Sequence, residues 1–235
     1  MSAVYTLTFR GEDIVPCGRD PFLRLELAAG AIATIAAVDE GATVALPAGS
    51  LSASSLAQRD EWAGQLAELS REHGVGLAFG IDLLAGEQWV GARRPRSFAF
   101  ACDRGRRLLW ASAATRERPD ALDDRAVWLS GRQTVLLLQS DIFRASARVV
   151  VERTRPELTI VLAYGGATPR WQPAMSALDR LAPTLLVREE LSRRKSAWTE
   201  APRGWQAAVA TASSFLTVHR FNPEAVGAQP AVMGD

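Results

Sequence analysis

Gln139, Ser140 and Asp141 stand where this chain would be expected to place its chemistry. They follow an apolar or β-branched run, Thr134–Leu138, and precede a helix expected over Phe143–Arg153. Such a run reads as a strand buried on both faces, the kind an α/β sheet requires. In open α/β folds, reactive groups gather where a buried strand ends and a helix begins. A nucleophile belongs at such a point, and this chain offers the amide of Gln139 instead. Asp141 has two readings: a residual acid or base, or a cap for the helix starting at Ile142–Phe143.

Other chemistry-bearing residues are sparse. The two cysteines, Cys17 and Cys102, give no disulfide framework and no metal-binding spacing. Cys102 ends a strand beside Asp103-Arg104-Gly105 and has no histidine close in sequence, so it reads as a small apolar residue rather than a thiolate. Cys17 lies in a Pro/Gly loop without a base beside it. The two histidines, His73 and His219, are far apart, which leaves few candidates for a histidine-dependent triad. Ser50, Ser52 and Ser54 fall in one loop, either as a connector or as the lining of a cavity. Glu117 and Asp120 with Arg116 and Arg118 form a charged stretch, either a solvated face or groups of a rearranged site. Lys195 is the only lysine, so a mechanism needing that amine elsewhere is closed.

Composition narrows the class. At 235 residues, 48% hydrophobic and 23% charged, the chain suits one globular domain, expected over 1–221 with a tail at 222–235. A net charge of +1 gives no field for nucleic acid or an anionic membrane, despite Arg193-Arg194-Lys195. No uninterrupted apolar run spans a bilayer, and Met1–Arg10 lacks the features of a signal peptide, so a cytoplasmic protein is expected. Arginine in place of lysine suits a GC-rich, bacterial-type genome. The seven tryptophans are scattered, as core residues are, and the glycines of Gly76–Gly80 lack phosphate-loop spacing. No cofactor and no metal are expected.

The elements that must position these residues follow from periodicity. Strands are expected at Val4–Phe9, Thr43–Leu46, Val75–Asp82, Ser97–Cys102, Leu108–Ala113, Thr134–Leu138, Leu158–Ala163, Thr184–Val187, Ala207–Ala212 and Phe215–Phe221. Trp128–Gly131 leads into the Thr134 strand, and Ser50–Ser55 and Thr115–Asp124 read as loops. Helices are expected at Phe22–Val38, capped by Asp20-Pro21, at Leu56–His73, stopped by Gly74, and near Trp171–Leu181. In the first helix Leu23, Leu27, Ala31, Ile35 and Val38 form the expected stripe; in the second, Trp62, Leu66 and Leu69 do. Strands alternate with helices but hairpins are mixed in. That predicts an α/β fold of two mixed sheets covered by helices, an α-β-β-α sandwich.

The order of these stretches resembles the carbon–nitrogen hydrolase family of nitrilases and amidases, over about residues 4 to 190. Phe22–Leu46 with Pro47 is similar to its first helix and second strand, which end in a Pro-Glu pair. Leu56–Gly80 is similar to its second helix and third strand, and Ser97–Ala113 to the hairpin that carries its lysine. Thr134–Phe143 is similar to the strand and elbow that carry its cysteine, and Leu158–Val187 to the closing strand–helix–strand. The resemblance implies a thiolate nucleophile, a glutamate that shuttles the proton and a lysine that stabilises the oxyanion. Carried over by position, these sites are Gln139, Ala48 and about Ala113, with Asp141 kept two residues after the cysteine site.

A chain lacking all three groups is expected to have lost the family's amide hydrolysis. The first expectation is a binding or scaffold subunit whose partner is a small amide-like ligand or a protein. The second is C–N bond hydrolysis or related chemistry from a site rearranged around Asp141, marked by a carboxylate with a raised pKa. The resemblance also implies a homodimer through helices Phe143–Arg153 and Trp171–Leu181, using Phe143, Val149, Val150, Trp171, Met175 and Leu178. The alternative is that these side chains only face the chain's own sheet.

Overall fold

The computed structural model describes residues 2–9, 20–83, 96–104, 108–112, 125–163, 171–188, 201–213 and 215–223. Two sheets lie face to face with helices outside both, the expected α-β-β-α sandwich. In the larger sheet the described strands run β11 (Trp205–Ala212), β12 (Leu216–Pro223), β1 (Val4–Phe9), β2 (Thr43–Ala45), β4 (Gly76–Leu83), β5 (Arg96–Asp103) and β6 (Leu108–Ser112), with β3 (Leu51–Ala53) also on β4. In the smaller sheet the order is β10 (Thr184–Arg188), β9 (Leu158–Ala163), β8 (Arg132–Leu138) and β7 (Ala126–Leu129). Both sheets are mixed. β1, β2 and β4 run parallel, as do β8, β9 and β10, while β5 and β7 pair antiparallel to their neighbours.

Strand parity sorts the core into three layers, because successive side chains point to opposite faces. On β4 and β5, Leu77, Phe79, Ile81, Phe98 and Phe100 meet α1 (Pro21–Val38) and α2 (Leu56–His73). On β8, Val135 and Leu137 meet α3 (Ala145–Thr154) and α4 (Trp171–Asp179). The opposite parity fills the space between the sheets with Ala78, Ala99, Ala101, Leu136, Leu138, Ile160 and Leu162. Small residues on the larger sheet face large ones on the smaller, so the sheets interdigitate.

The helix ends follow their sequence signals. Asp20 accepts from the N–H groups of Phe22 at 2.9 Å and Leu23 at 3.4 Å, ahead of Pro21. Ser55 accepts from Gln58 N–H at 3.1 Å, and Gly74 closes α2 in the left-handed region. The fully buried stripe of α1 is Arg24, Ala28, Ile32 and Ile35; of the expected stripe Ile35 is buried, Leu27 and Ala31 pack partly buried against the same core, Leu23 is partly exposed and Val38 is exposed. This helix is apolar around most of its circumference, so periodicity cannot choose the face. α1 alone among the described helices is long and apolar enough by composition to cross a bilayer, although Arg24 and Glu26 interrupt its apolar run, in keeping with the run-based expectation.

Other differences have local causes. β3 replaces the middle of the expected Ser50–Ser55 loop: Leu51 and Ala53 are buried on the helix side of the sheet. β7 turns into β8 through Ser130 and Gly131, both at positive φ (52° and 75°), so the lead-in is a hairpin. The helix expected from Phe143 is split: Asp141–Phe143 is a 3-10 turn and α3 starts at Ala145. Val150, Trp171, Met175 and Leu178 are buried in the chain's own helix–sheet core, whereas Phe143 and Val149 are exposed. β12 runs on to Pro223, and the remainder of the expected tail lies outside the described residues.

Candidate functional site

Ser130 orients one sheet on the other. Its hydroxyl donates to Ala42 O (2.9 Å) and accepts from Gly76 N–H (3.1 Å); its own N–H donates to Asp103 Oδ1 (3.0 Å). The starts of β2 and β4 therefore meet the start of β8. The ends of all three strands must lie together at the other end of the sandwich, and there the site is found.

Ala48 follows β2 in the turn Pro47–Ser50 and is 2% exposed. It presses on β4 at Gly80: a Cβ on Gly80 would lie 2.5 Å from Ala48 Cα and 3.1 Å from its N and Cβ. The turn is fixed from two sides. Arg24 Nη1 donates to Gly49 O and Ser50 O, each at 3.1 Å, and the Ser50 hydroxyl donates to Gly80 O at 3.1 Å. Ala48 thus points into the same apolar layer that holds Leu138. A carboxylate could reach that layer from this position, and a methyl group occupies it.

Gln139 ends β8 half-buried, its N–H bonded to Leu162 O at 3.0 Å. Asp141 is wholly buried. Its Oδ2 accepts from Leu138 N–H at 2.9 Å and from Arg125 Nη1 at 3.0 Å, and Arg125 is wholly buried as well. Arg125 also reaches Leu136 O at 3.4 Å. Burial presses the Arg125 guanidinium downward in pKa, and the Asp141 charge opposes that. Asp141 therefore shapes the elbow by bonding back to β8. The capping reading is close, except that the side chain serves the strand end rather than the first turn of α3.

The other candidates disperse. Cys102 is 1% exposed and pairs with Leu77 and Leu108, at the start of β4 and away from the site. Ser54 bonds to Gln58 Oε1 at the start of α2. His73 is in the last turn of α2. His219 lies opposite Thr6 in the middle of the sheet, three strands from β4, and burial lowers its pKa. Ala113, Cys17, Glu117, Asp120, Arg116, Arg118 and Lys195 lie outside the described residues. Among the described residues no three His, Cys, Asp or Glu side chains group as metal ligands would.

What the sequence reading missed is Asp82. The sequence pattern places it only as the last residue of the strand Val75–Asp82. It shares the inward parity of Ala78 and Gly80, is 2% exposed, and sits beside Ser52 on β3 and Ser97 on β5. Ser97 hydrogen-bonds to it. Burial pushes the Asp82 carboxyl above the ordinary carboxylate range, and the Ser97 bond pulls it partly back. The signal was present: an acid on the inward parity of a run, Val75–Ile81, that is otherwise buried on both faces. A carboxylate with a raised pKa is thus found at Asp82.

No family model matches the sequence, and no curated protein matches it. Among solved structures, the amidase from Nesterenkonia sp. matches over 95% of this chain and 91% of its own, with TM-score 0.63 and 16% identity. A variant of that enzyme carrying a Michael adduct of acrylamide at its active-site cysteine matches over 94% and 93%, with TM-score 0.63 and 16% identity. A cysteine-to-alanine variant in complex with butyramide matches over 94% and 91%, with TM-score 0.60 and 17% identity. The fold is that of the nitrilase-superfamily amidases. At this identity the likeness carries the architecture alone.

Proposed function

We propose that this protein is a catalytically degenerate form of the nitrilase fold that binds a small molecule at the inter-sheet site or acts as a scaffold subunit. One observation carries the reading. The position that the family resemblance assigns to the proton-shuttling glutamate is Ala48, held by Arg24 and Ser50 with its methyl in an apolar layer. Without that base, and with Gln139 at the thiolate position, an amide carbon meets no activated nucleophile. The alternative, C–N hydrolysis rearranged around Asp141, is opposed by the buried Arg125–Asp141 pair, which ties Asp141 Oδ2 to the elbow and holds the carboxylate away from solvent, although Oδ1 has no partner among the described residues.

The test is ammonia release from acetamide, butyramide and benzonitrile, with heat-inactivated protein as control. No release above the control is expected, and protein-dependent release overturns the proposal. A cytoplasmic homodimer belongs to the same reading. Phe143 and Val149, exposed on the elbow and α3, would supply the contact. Light scattering that gives a monomer at all concentrations removes that part.

A further inference from the structure

A buried carboxylate is costly unless something compensates it. Asp82 is 2% exposed, and its Oδ1 has no hydrogen-bond partner among the described residues. Three described arginines of this half of the sandwich are engaged elsewhere. Arg24 holds the carbonyls of Gly49 and Ser50, and Arg125 holds Asp141. Arg59 lies over the ring of Phe98, on the helix side of the sheet.

The register completes the picture. Ser52, Asp82 and Ser97 are direct neighbours across β3, β4 and β5, and all three face inward. Ser52 and Ser97 are half-buried, so the row crosses the strands with the buried carboxylate between two partly exposed hydroxyls. Two hydroxyls flanking a carboxylate with an unfilled oxygen make an acceptor-rich cradle. A group with several N–H donors and a positive charge meets both deficits at once, the open acceptor and the lack of a counter-charge among the described residues.

We propose that Asp82, with Ser52 and Ser97, is a recognition site for a small organic cation bearing a primary ammonium group. The inference rests on the binding reading above and names its ligand class. The ammonium donates to Asp82 Oδ1 and to one or both serine hydroxyls. The turn at Ala48, two residues along β4 from Asp82, presents the ligand with a methyl rather than a second carboxylate.

The experiment uses the full chain and methylammonium chloride. Tetramethylammonium chloride at the same concentration supplies charge without N–H donors, and acetamide supplies N–H donors without charge. Thermal unfolding and the carboxyl carbon resonance of Asp82 are followed together. Methylammonium is expected to raise the unfolding midpoint saturably and to move the Asp82 resonance, with tetramethylammonium and acetamide doing neither. Asp82→Asn should abolish the effect, and Ser97→Ala should weaken it several-fold. Should Asp82→Asn fail to fold, the wild-type resonance and Ser97→Ala decide. An unmoved Asp82 resonance, or equal response to tetramethylammonium, overturns the proposal. Protection by acetamide alone would overturn it too, while leaving the broader binding reading intact. Ammonia release from acetamide would sink the degenerate reading without touching the Asp82 site.

Discussion

Asp141→Asn distinguishes a reacting carboxylate from a structural one. In the fold Asp141 Oδ2 lies 3.0 Å from Arg125 Nη1, and neither side chain is exposed. Asparagine keeps the volume, and its carbonyl oxygen can still accept from Leu138 N–H. The substitution therefore removes the charge opposite Arg125 and little else. Removing one partner of a buried ion pair costs about 3–5 kcal/mol, because the other charge stays buried and uncompensated. In a chain of this size each kcal/mol moves the unfolding midpoint by about 2–4 °C, so a fall of roughly 6–20 °C is expected. Circular dichroism melts of wild type, Asp141→Asn, Arg125→Met and the double variant measure it. The double variant should lose less than the sum of the singles, since neither charge then remains alone. A midpoint for Asp141→Asn within about 2 °C of wild type, less than a single kcal/mol, refutes the reasoning. Asp141 would then return as a candidate for chemistry.

Two further outcomes follow from the site. Gly80→Ala drives a methyl against the backbone of Ala48, which cannot rotate aside, and should cost about 1–3 kcal/mol in urea denaturation. Ala48→Gly should not rescue it, because Ala48 Cα and N remain in the way; an unchanged midpoint would show that the turn does not press on β4. Asp82→Asn should change how stability depends on pH. Burial raises the folded-state pKa of Asp82, so its contribution is complete below the unfolded value of about 3.9 and is lost as pH rises through the raised value. The uncharged variant escapes that loss, so its stability relative to wild type should grow over the same window. A difference that stays flat with pH would mean that Asp82 titrates as an ordinary carboxylate.

The chain itself determined the layers. Alternation in Val4–Phe9, runs of apolar and β-branched residues at Val75–Ile81, Thr134–Leu138 and Leu158–Ala163, and helix-end signals at Asp20 and Gly74 are local, and local energetics fixes those elements. That Ala48 and Gln139 carry no carboxylate and no thiol was equally legible, because a residue's identity needs no coordinates. The tertiary structure decided what depends on neighbours remote in sequence. Which stripe of α1 is buried was set by the sheet and α2, since the helix offers apolar surface on most sides. The fate of Asp141 was set by Arg125, sixteen residues upstream and brought under it by the β7–β8 hairpin. Asp82 became a candidate because the pairing of β3, β4 and β5 sets Ser52 and Ser97 on either side of it and the fold buries its carboxylate. A carboxylate's chemistry is fixed by its desolvation and its partners, and both are properties of the assembled sandwich rather than of any one strand.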